Sequence, residues 1–411
     1  MSRPHPNHPA RVSLFTLAAL SMAAALSPWS AALAEEPQPA ALPSPADSKD
    51  ADTHGDADGR RALDTFLEHF TYQLSATGYY QLDAARTPNS LPMPSYRAFV
   101  DQQGFGLTFA GVDAAYETDT WGLTLSLRFG PGADKLIGTA PAGLNNLRQG
   151  YVTWKPTSKL KLDLGWFDTI YGAEVADEWK NLNFTRGALY FLMQPFNHTG
   201  LRAAYQVNEK VAVTVLVVNG FFDFPDITDL ANEVPHFGGQ IAITPNDHVG
   251  LYLGYGTGPN GLDDNRDWDH FVDVVANLSS GRWHLALNGD LRVDPSQSTA
   301  LYYGASAAVG VDVGDHWALA LRGEYLGDPD GLAGLGTFAD ETDDAPAVSL
   351  PAKRLGTGTL TVRYSPVPQL VITLENRVEV ASADIFSTRS GPGASDVHFA
   401  TILGVSGHVG N

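Results

Sequence analysis

The chain has 411 residues, no cysteine, and 46 Asp and Glu against 26 Lys and Arg, which gives a formal net charge of −20. The absence of cysteine excludes disulfides and thiolate metal sites. A strongly acidic chain repels phosphate backbones, so no nucleic-acid partner is expected.

Residues 1–34 have the pattern of a secretory signal peptide. Arg3 and Arg11 precede an apolar run at residues 14–26, and Ala32-Leu33-Ala34 is a small-residue cleavage site. That cleavage site disfavours the alternative of a buried N-terminal helix. No later run approaches the roughly eighteen apolar residues of a transmembrane helix. The pattern predicts export across the inner membrane.

The remainder divides into two parts. Residues 35–65 are rich in Pro, Ala and Asp and have few large apolar side chains, so they are predicted to be a disordered, acidic periplasmic segment. From residue 66 to residue 411 a strand pattern continues without a linker, which predicts a single domain.

The strand pattern is an alternation of apolar and polar side chains. In Trp317–Tyr325, every second residue suits a lipid surface and the residues between them could face water. This period of two predicts a β-strand with one apolar and one wet face. The same pattern occurs at residues 123–129, 201–207, 283–292 and 359–364.

Short turns and long connections alternate between these strands. Seven short turns, rich in Gly, Pro, Asn, Asp and Ser, are predicted at residues 117–120, 156–159, 207–210, 245–247, 279–282, 314–316 and 366–368. Eight longer connections are predicted at residues 85–102, 131–146, 169–198, 220–235, 258–267, 294–299, 328–351 and 382–395. This alternation predicts an all-β fold, a transmembrane up-and-down antiparallel β-barrel of about sixteen strands in a bacterial outer membrane. Both termini are then periplasmic, and fourteen or eighteen strands stay open as alternatives.

The third long connection, residues 169–198, is too long for a passive link and is predicted to fold into the lumen. Its first part has helical spacing, with Val175 and Trp179 on one side and the acidic side chains on the other. Its second part, residues 188–196, is too apolar to face water. We expect it to pack on the equally apolar strand at residues 211–218, where inward glycines make room: Gly238, Gly250, Gly254 and Gly256. The segment either constricts a pore or braces the barrel.

Charged residues of the alternating strands must face the lumen, because Arg or Lys facing lipid near the midplane costs roughly 2–4 kcal/mol. Arginines of the wall would then oppose the acidic side chains of the connection in a transverse field. The predicted pore constriction comprises Glu174, Asp177, Glu178, Arg186, Arg202, Arg292, Arg322, Arg363 and Arg377. The alternative is that the arginines pair with Glu324, Glu375 and Glu379 to satisfy buried charge.

Signals for other chemistry are weak. No serine-hydrolase elbow, zinc-protease motif or phosphate-binding loop occurs, so no catalytic residue, cofactor or metal site is expected. Acidic runs at residues 47–58, 223–229, 263–269 and 328–344 are predicted to be solvated loops. A surface that binds divalent cations or bridges lipopolysaccharide is the alternative for these runs.

Several short motifs around the third connection resemble the OmpL-like family of outer-membrane β-barrel porins. They are Gly165-Trp166-Phe167, Tyr171-Gly172-Ala173-Glu174, residues 181–187 (Asn-Leu-Asn-Phe-Thr-Arg-Gly) and residues 194–200 (Gln-Pro-Phe-Asn-His-Thr-Gly). The resemblance implies a passive or semi-selective pore and names no solute. One departure is that the chain ends in Asn411, whereas barrels of this kind often end in an aromatic residue that the assembly machinery reads.

Together these patterns predict a porin, a channel for small hydrophilic solutes with a mild cation preference from its acidic loops. The expected partners are outer-membrane lipid and lipopolysaccharide, the barrel assembly machinery and the solutes or ions, with a homotrimer as a candidate assembly. The first alternative is a non-conducting barrel that acts as a surface adhesin or structural anchor. A membrane-embedded hydrolase and a soluble periplasmic binding protein are the others.

Overall fold

The computed structural model describes residues 63–83, 103–133, 146–221, 233–261, 264–295, 300–332, 335, 337–338, 348–349, 352–388 and 391–411. The predicted signal peptide, and the acidic runs at residues 47–58 and 223–229, lie outside the described residues. Residues 63–65 were assigned to a disordered segment by the sequence, but they begin a short helix at residues 63–69. Phe66 on this helix stacks on Phe70 and Tyr116 of the first hairpin.

The fold is one closed antiparallel barrel, which confirms the predicted sixteen strands. In chain order the strands of the barrel are β1 Phe70–Asp83, β2 Gly104–Glu117, β3 Trp121–Phe129, β4 Leu147–Thr157, β5 Leu160–Asp168, β6 Asn197–Asn208, β7 Val211–Val218, β8 His236–Asn246, β9 Val249–Gly261, β10 Asp264–Ser280, β11 Trp283–Asp294, β12 Ala300–Val313, β13 Trp317–Gly327, β16 Arg354–Val367, β17 Leu370–Ala381 and β20 Val397–Gly410. Two small hairpins lie in the long connections: β14 Thr337–Phe338 with β15 Val348–Ser349, and β18 Phe386–Thr388 with β19 Gly391–Ser395.

The barrel closes where β1 pairs with β20, in register from Gln73↔Gly410 to Asp83↔Ala400. Closure leaves no open sheet edge, which a strand protein needs in a bilayer without water. The predicted short turns are confirmed at one end of the barrel, and Gly281 and Gly314 take positive φ there. Other residues adopt that backbone conformation at a cost.

One predicted loop is wrong. Residues 258–267 contain Gly, Pro, Asn and Asp and were expected to be a long connection, but β9 and β10 continue through most of them. Gly258 and Pro259 pair with Asp269 and Trp268, and the Trp268 ring stacks on Phe237 of β8 at 6.2 Å. Packing across three strands therefore outweighs the local turn signal.

The two faces of the wall differ as the alternation predicts. On β13, Leu321 points outward with 48% of its surface exposed, whereas Arg322 points inward and is 1% exposed. An apolar outside and a charged inside are the arrangement of an outer-membrane barrel. Among the described residues, no helix is long and apolar enough to cross a membrane.

The buried apolar residues lie inside the barrel in three clusters, between the wall and the connection from β5 to β6. One cluster joins Trp179 and Phe184 of the connection to Phe109 and Ile402 of the wall. A second contains Leu189 and Met193 with wall residues that include Tyr302, Leu326 and Leu355. The third gathers around Tyr171 with Phe167, Leu216, Phe221 and Phe271.

Candidate functional site

The candidate site is formed by residues 169–196, which we call the lumen segment, and the inner wall that it contacts. It begins after β5 and first runs along β9, β10 and β11. The Tyr171 hydroxyl donates to the Tyr255 carbonyl at 2.8 Å. The Gly172 and Ala173 amides donate to Asp273 at 3.2 Å and Asn288 at 3.0 Å. Backbone donors of the segment are thus satisfied by side chains of the wall.

The segment then descends to the end of the barrel that carries the short turns. A short 3-10 helix, Glu178–Lys180, lies at this depth. The Trp179 ring stacks on His408 at 5.4 Å, and His408 lies beside the turn between β16 and β17, where its amide donates to Gln369. Arg363 of β16 donates to the carbonyls of Trp179 at 2.8 Å and Asn181 at 2.5 Å.

Two wall glutamates hold the returning part of the segment. Glu375 of β17 accepts from the Phe184 amide at 2.7 Å and the Thr185 amide at 3.1 Å. A short α-helix, Ala188–Met193, follows, and its N-cap residue Gly187 has no side chain to cap it. Glu324 of β13 supplies the missing acceptor for the amides of Ala188 at 3.1 Å and Leu189 at 3.2 Å. A carboxylate at a helix N-terminus satisfies free amides and the helix dipole together.

Asp177 is the most heavily paired acid of the segment. Its carboxylate lies 3.0 Å from Arg128 of β3, 3.0 Å from Arg148 of β4 and 3.2 Å from Lys180. Burial alone would raise the pKa of Asp177, but these three cations hold it well below its usual range. Because the folded pKa lies below the unfolded one, Asp177 contributes stability at neutral pH that is lost only in strong acid.

Glu174 and Glu178 are paired less fully. Glu174 accepts from the Gly187 amide at 2.6 Å and lies 2.5 Å from Arg322 of β13. Glu178 has Arg186 at 3.4 Å. Burial raises the pKa of both carboxyls, against the opposing effect of Arg322 and Arg186. The proton is therefore held more tightly here than in water.

The other predicted site arginines separate into two groups. Arg377 lies within the site and donates to the Arg186 carbonyl at 2.8 Å, as well as to Glu379 at 2.8 Å. Arg202 pairs instead with Asp163 on the neighbouring strand at 2.8 Å, and Arg292 pairs with Asp269.

The structure therefore places Glu174, Asp177, Glu178, Arg186, Arg322, Arg363 and Arg377 at the contact between the segment and the wall. Arg322 binds both Glu174 of the segment and, at 3.5 Å, Glu324 of the wall. Asp177 and Glu174 thus pair directly with arginines of the wall, whereas Glu178 and Arg186 pair with each other within the segment.

The expected packing of residues 188–196 on β7 is wrong. Leu189 and Met193 instead lie against Gly304 of β12, where a Cβ would be 2.4 Å from Leu189 Cδ1 and 3.1 Å from Met193 Sδ. The side chain near β8 and β9 is Tyr171, which a Cβ on Gly254 would approach to 2.7 Å. Gly238, Gly254 and Gly256 do make room, but for Tyr171 and Phe221, whereas a Cβ on Gly250 would meet Tyr252.

Two residues of the site were not predicted from the sequence. Arg148 lies next to a register shift between β3 and β4, where alternation no longer indicates which face a side chain takes. Tyr171 appeared only within a motif, and nothing local showed that its ring would be buried. Among the described residues, no group of three or more His, Asp or Glu could hold a metal ion.

The closed barrel, its apolar outside and its charged lumen define an outer-membrane β-barrel of the porin class. Residues 69–406 match the family described as "Putative beta-barrel porin-2, OmpL-like". The match covers most of the chain, so this protein belongs to that family and is located in the bacterial outer membrane. The resemblance expected from the motifs is confirmed. No curated protein matches the chain in sequence.

Solved structures share the fold at low sequence identity. A high-pH structure of OprB from Pseudomonas putida has a TM-score of 0.53 and 12% identity, covering 87% of this chain and 97% of that one. An anion-selective porin from Comamonas acidovorans has a TM-score of 0.51 and 10% identity, covering 83% and 98%. OmpT from Vibrio cholerae, described as a trimer form, has a TM-score of 0.50 and 14% identity, covering 83% and 98%. Identities this low support the fold alone.

Two adjacent acids provide a matched test of the pairing. We expect Asp177→Asn to destabilise the barrel by about 3–5 kcal/mol, because Arg128 and Arg148 lose a buried counter-charge. Glu178→Gln should cost about 1 kcal/mol or less, because burial already raises the pKa of its carboxyl and an amide still accepts from Arg186. Urea unfolding in lipid vesicles measures both. Equal losses for the two variants would contradict the account.

The packing of Tyr171 predicts a second difference. Gly254→Ala should destabilise the barrel by roughly 1–3 kcal/mol, because its methyl group displaces the Tyr171 ring from a filled space. Gly289→Ala is the control, since a Cβ there meets nothing within 4 Å, and its effect should stay within about 0.5 kcal/mol. The same unfolding assay compares the two variants. A Gly254→Ala variant as stable as the wild type would show that Tyr171 is not packed at this wall.

Proposed function

We propose that this protein is a passive or semi-selective channel for small hydrophilic solutes, constricted by the connection at residues 169–198. The observation that carries the proposal is that charged side chains of the inner wall near the short turns stay partly exposed to solvent. The side chains of Asp113, Lys155 and Lys161 are 25%, 26% and 25% exposed. They belong to β2, β4 and β5, on the inward-facing positions of the alternation. All three lie near the short turns that join β2 to β3 and β4 to β5, so solvent reaches the inner wall from that end of the barrel.

The lumen segment supports a constriction by narrowing the space beside these strands. Its buried groups face the wall, whereas Val175 is 41% exposed and the Glu174 side chain is 19% exposed. This exposed side of the segment is where a passing solute would meet it. Ion pairs on the other side hold it in place, so the narrowing would not depend on a flexible loop.

We propose a mild cation preference. The chain has an acidic excess of 46 Asp and Glu over 26 Lys and Arg, which raises the cation concentration near the mouth. The exposed groups of the inner wall include both signs, Asp113 with Lys155 and Lys161, so the preference should be weak. Salt should reduce it further by screening. The anion-selective porin shares the fold, and selectivity depends on lumen charges that a shared fold does not determine.

A barrel sealed by its segment is the second candidate function, and the extent of the segment's contacts favours it. Residues 169–196 bond to strands on all sides of the lumen, from Arg128 and Arg148 to Asn288, Glu324 and Glu375. A segment that fills the lumen would make a non-conducting barrel, whose role would be a surface adhesin or a structural anchor.

The proposal includes the partners of a porin. These are lipid and lipopolysaccharide around the wall, the barrel assembly machinery during insertion, and solutes or ions in the lumen. We also propose assembly as a homotrimer, which the trimer form described for OmpT supports by its shared fold. No catalytic activity and no cofactor form part of the proposal.

Single-channel recording of the purified protein in a planar bilayer tests the function. In a potassium chloride gradient we expect discrete open steps and a reversal potential on the cation side. Val175→Lys should lower conductance and move the reversal potential toward the anion side, because it places a positive charge on the exposed side of the segment. Val207→Lys is the matched control, since Val207 is 43% exposed but lies on the outside of β6. It should change neither the conductance nor the reversal potential.

Two outcomes contradict this proposal. A silent bilayer with a correctly folded barrel, shown by heat-shifted gel mobility, would favour the sealed barrel. Open steps with an anion-side reversal potential in the wild type would keep the channel and reject the cation preference.

A further inference from the structure

An amide and a hydroxyl lie together on the lipid-facing side of the wall. Asn376 of β17 and Thr401 of β20 are register partners, and the Thr401 hydroxyl donates to Asn376 Oδ1 at 2.8 Å. Their parity places them outward, because the residues on either side, Glu375 and Arg377, are buried inside the barrel. Both lie near the middle of their strands.

Their surroundings are those of a lipid surface. Leu360 of β16 is the register partner of Asn376, and Leu82 of β1 is the partner of Thr401. Both leucines are exposed. Along the same strands, the outward neighbours are also exposed apolar residues: Leu374, Val378, Phe399 and Leu403.

The pair leaves one polar end of the amide without a partner. Thr401 takes the Asn376 oxygen, and within the described part of the chain the Asn376 Nδ2 group donates to nothing. If the amide is turned over, the Thr401 hydroxyl accepts from its nitrogen, and the amide oxygen becomes the end without a partner. In the hydrocarbon layer there is no water and no lipid headgroup to bond it. A polar group from another protein is the remaining partner at this depth.

The wall beside Asn376 also permits a close approach. Gly358 of β16 and Gly323 of β13 are register partners that face outward on the next two strands. A Cβ built on Gly323 meets nothing within 4 Å, so no side chain covers the backbone there. Small residues that let backbones approach, next to a polar group that bonds across, are the features of protein interfaces within membranes.

We propose that the strip formed by Gly323, Gly358, Asn376 and Thr401 is the surface through which copies of this chain associate in the membrane. A second copy carries the same strip at the same depth, so it brings a polar group to the height where one is needed. An amide has both a donor and an acceptor and is therefore complementary to another amide. In a trimer, three copies of the strip meet around the three-fold axis and each amide donates to the next, which closes the assembly. This inference identifies the interface of the homotrimer included in the proposed function and rests on that part of it.

The oligomeric mass of the purified protein in mild detergent tests the interface. We expect the wild type to be an oligomer, and the variant Asn376→Leu with Thr401→Val to associate roughly tenfold more weakly, because the bond across the interface is lost. Gly323→Trp should also disrupt assembly, because its ring fills the open space over the backbone. Val215→Trp is the matched control on β7, where Val215 is exposed to lipid, and it should leave the mass unchanged. Heat-shifted gel mobility verifies that each variant is folded.

Cross-linking in membranes provides a second readout that detergent does not affect. The chain has no cysteine, so Leu360→Cys introduces a single thiol beside Asn376 and keeps its amide. A short thiol cross-linker should join Leu360→Cys chains in outer-membrane vesicles and should not join Val215→Cys chains. A monomeric wild type together with Leu360→Cys chains that fail to cross-link, or an oligomer that the strip variants leave intact, would overturn the proposal. An oligomer that conducts no current would reject only the channel.

Discussion

The structure depends on one constraint, which is that a strand wall in a bilayer must satisfy every backbone group within itself. Pairing of β1 with β20 meets this constraint by closing the barrel. The pleat of each strand sends alternate side chains to opposite faces, so in the closed barrel the charged residues that cannot face lipid, such as Arg322, are directed into the lumen. A lumen lined with charge then needs counter-charges and hydrogen-bond partners. For the wall residues that it contacts, the lumen segment supplies most of these partners.

The lumen segment acts as an inner wall on the sides where it packs. A carboxylate joins the segment to the wall in two places: Asp177 lies between Arg128 and Arg148, and Glu324 lies at the start of the short helix. In the first case a segment acid meets arginines of the wall, and in the second a wall acid meets amides of the segment. Where the segment does not pack, charges such as Lys161 stay partly exposed to solvent, and the proposed function rests on that difference in exposure.

Alternation along each strand predicted the closed barrel, because its period of two is a direct consequence of the pleat. The turn residues misled at residues 258–267, most of which lie in β9 and β10 and pair with a register shift between Asp264 and Trp268, since the stacking of Trp268 on Phe237 could not be seen locally. The apolar residues 188–196 showed that they would be buried but not against which strands, and they pack near Gly304 rather than on β7. Site residues within the segment were predicted as a set, whereas Arg202 and Arg292 were placed there only because they face the lumen.

The depth that the segment reaches is the most direct test of this account. Trp179 and His408 are far apart in sequence, and their rings stack at 5.4 Å beside the short turns. In a chain without cysteine, the double variant Trp179→Cys with His408→Cys should be joined within each barrel by a short thiol cross-linker, giving a shifted band on a denaturing gel. Neither single variant should show that band. A folded double variant that does not cross-link would place the segment away from the inner wall and contradict the account.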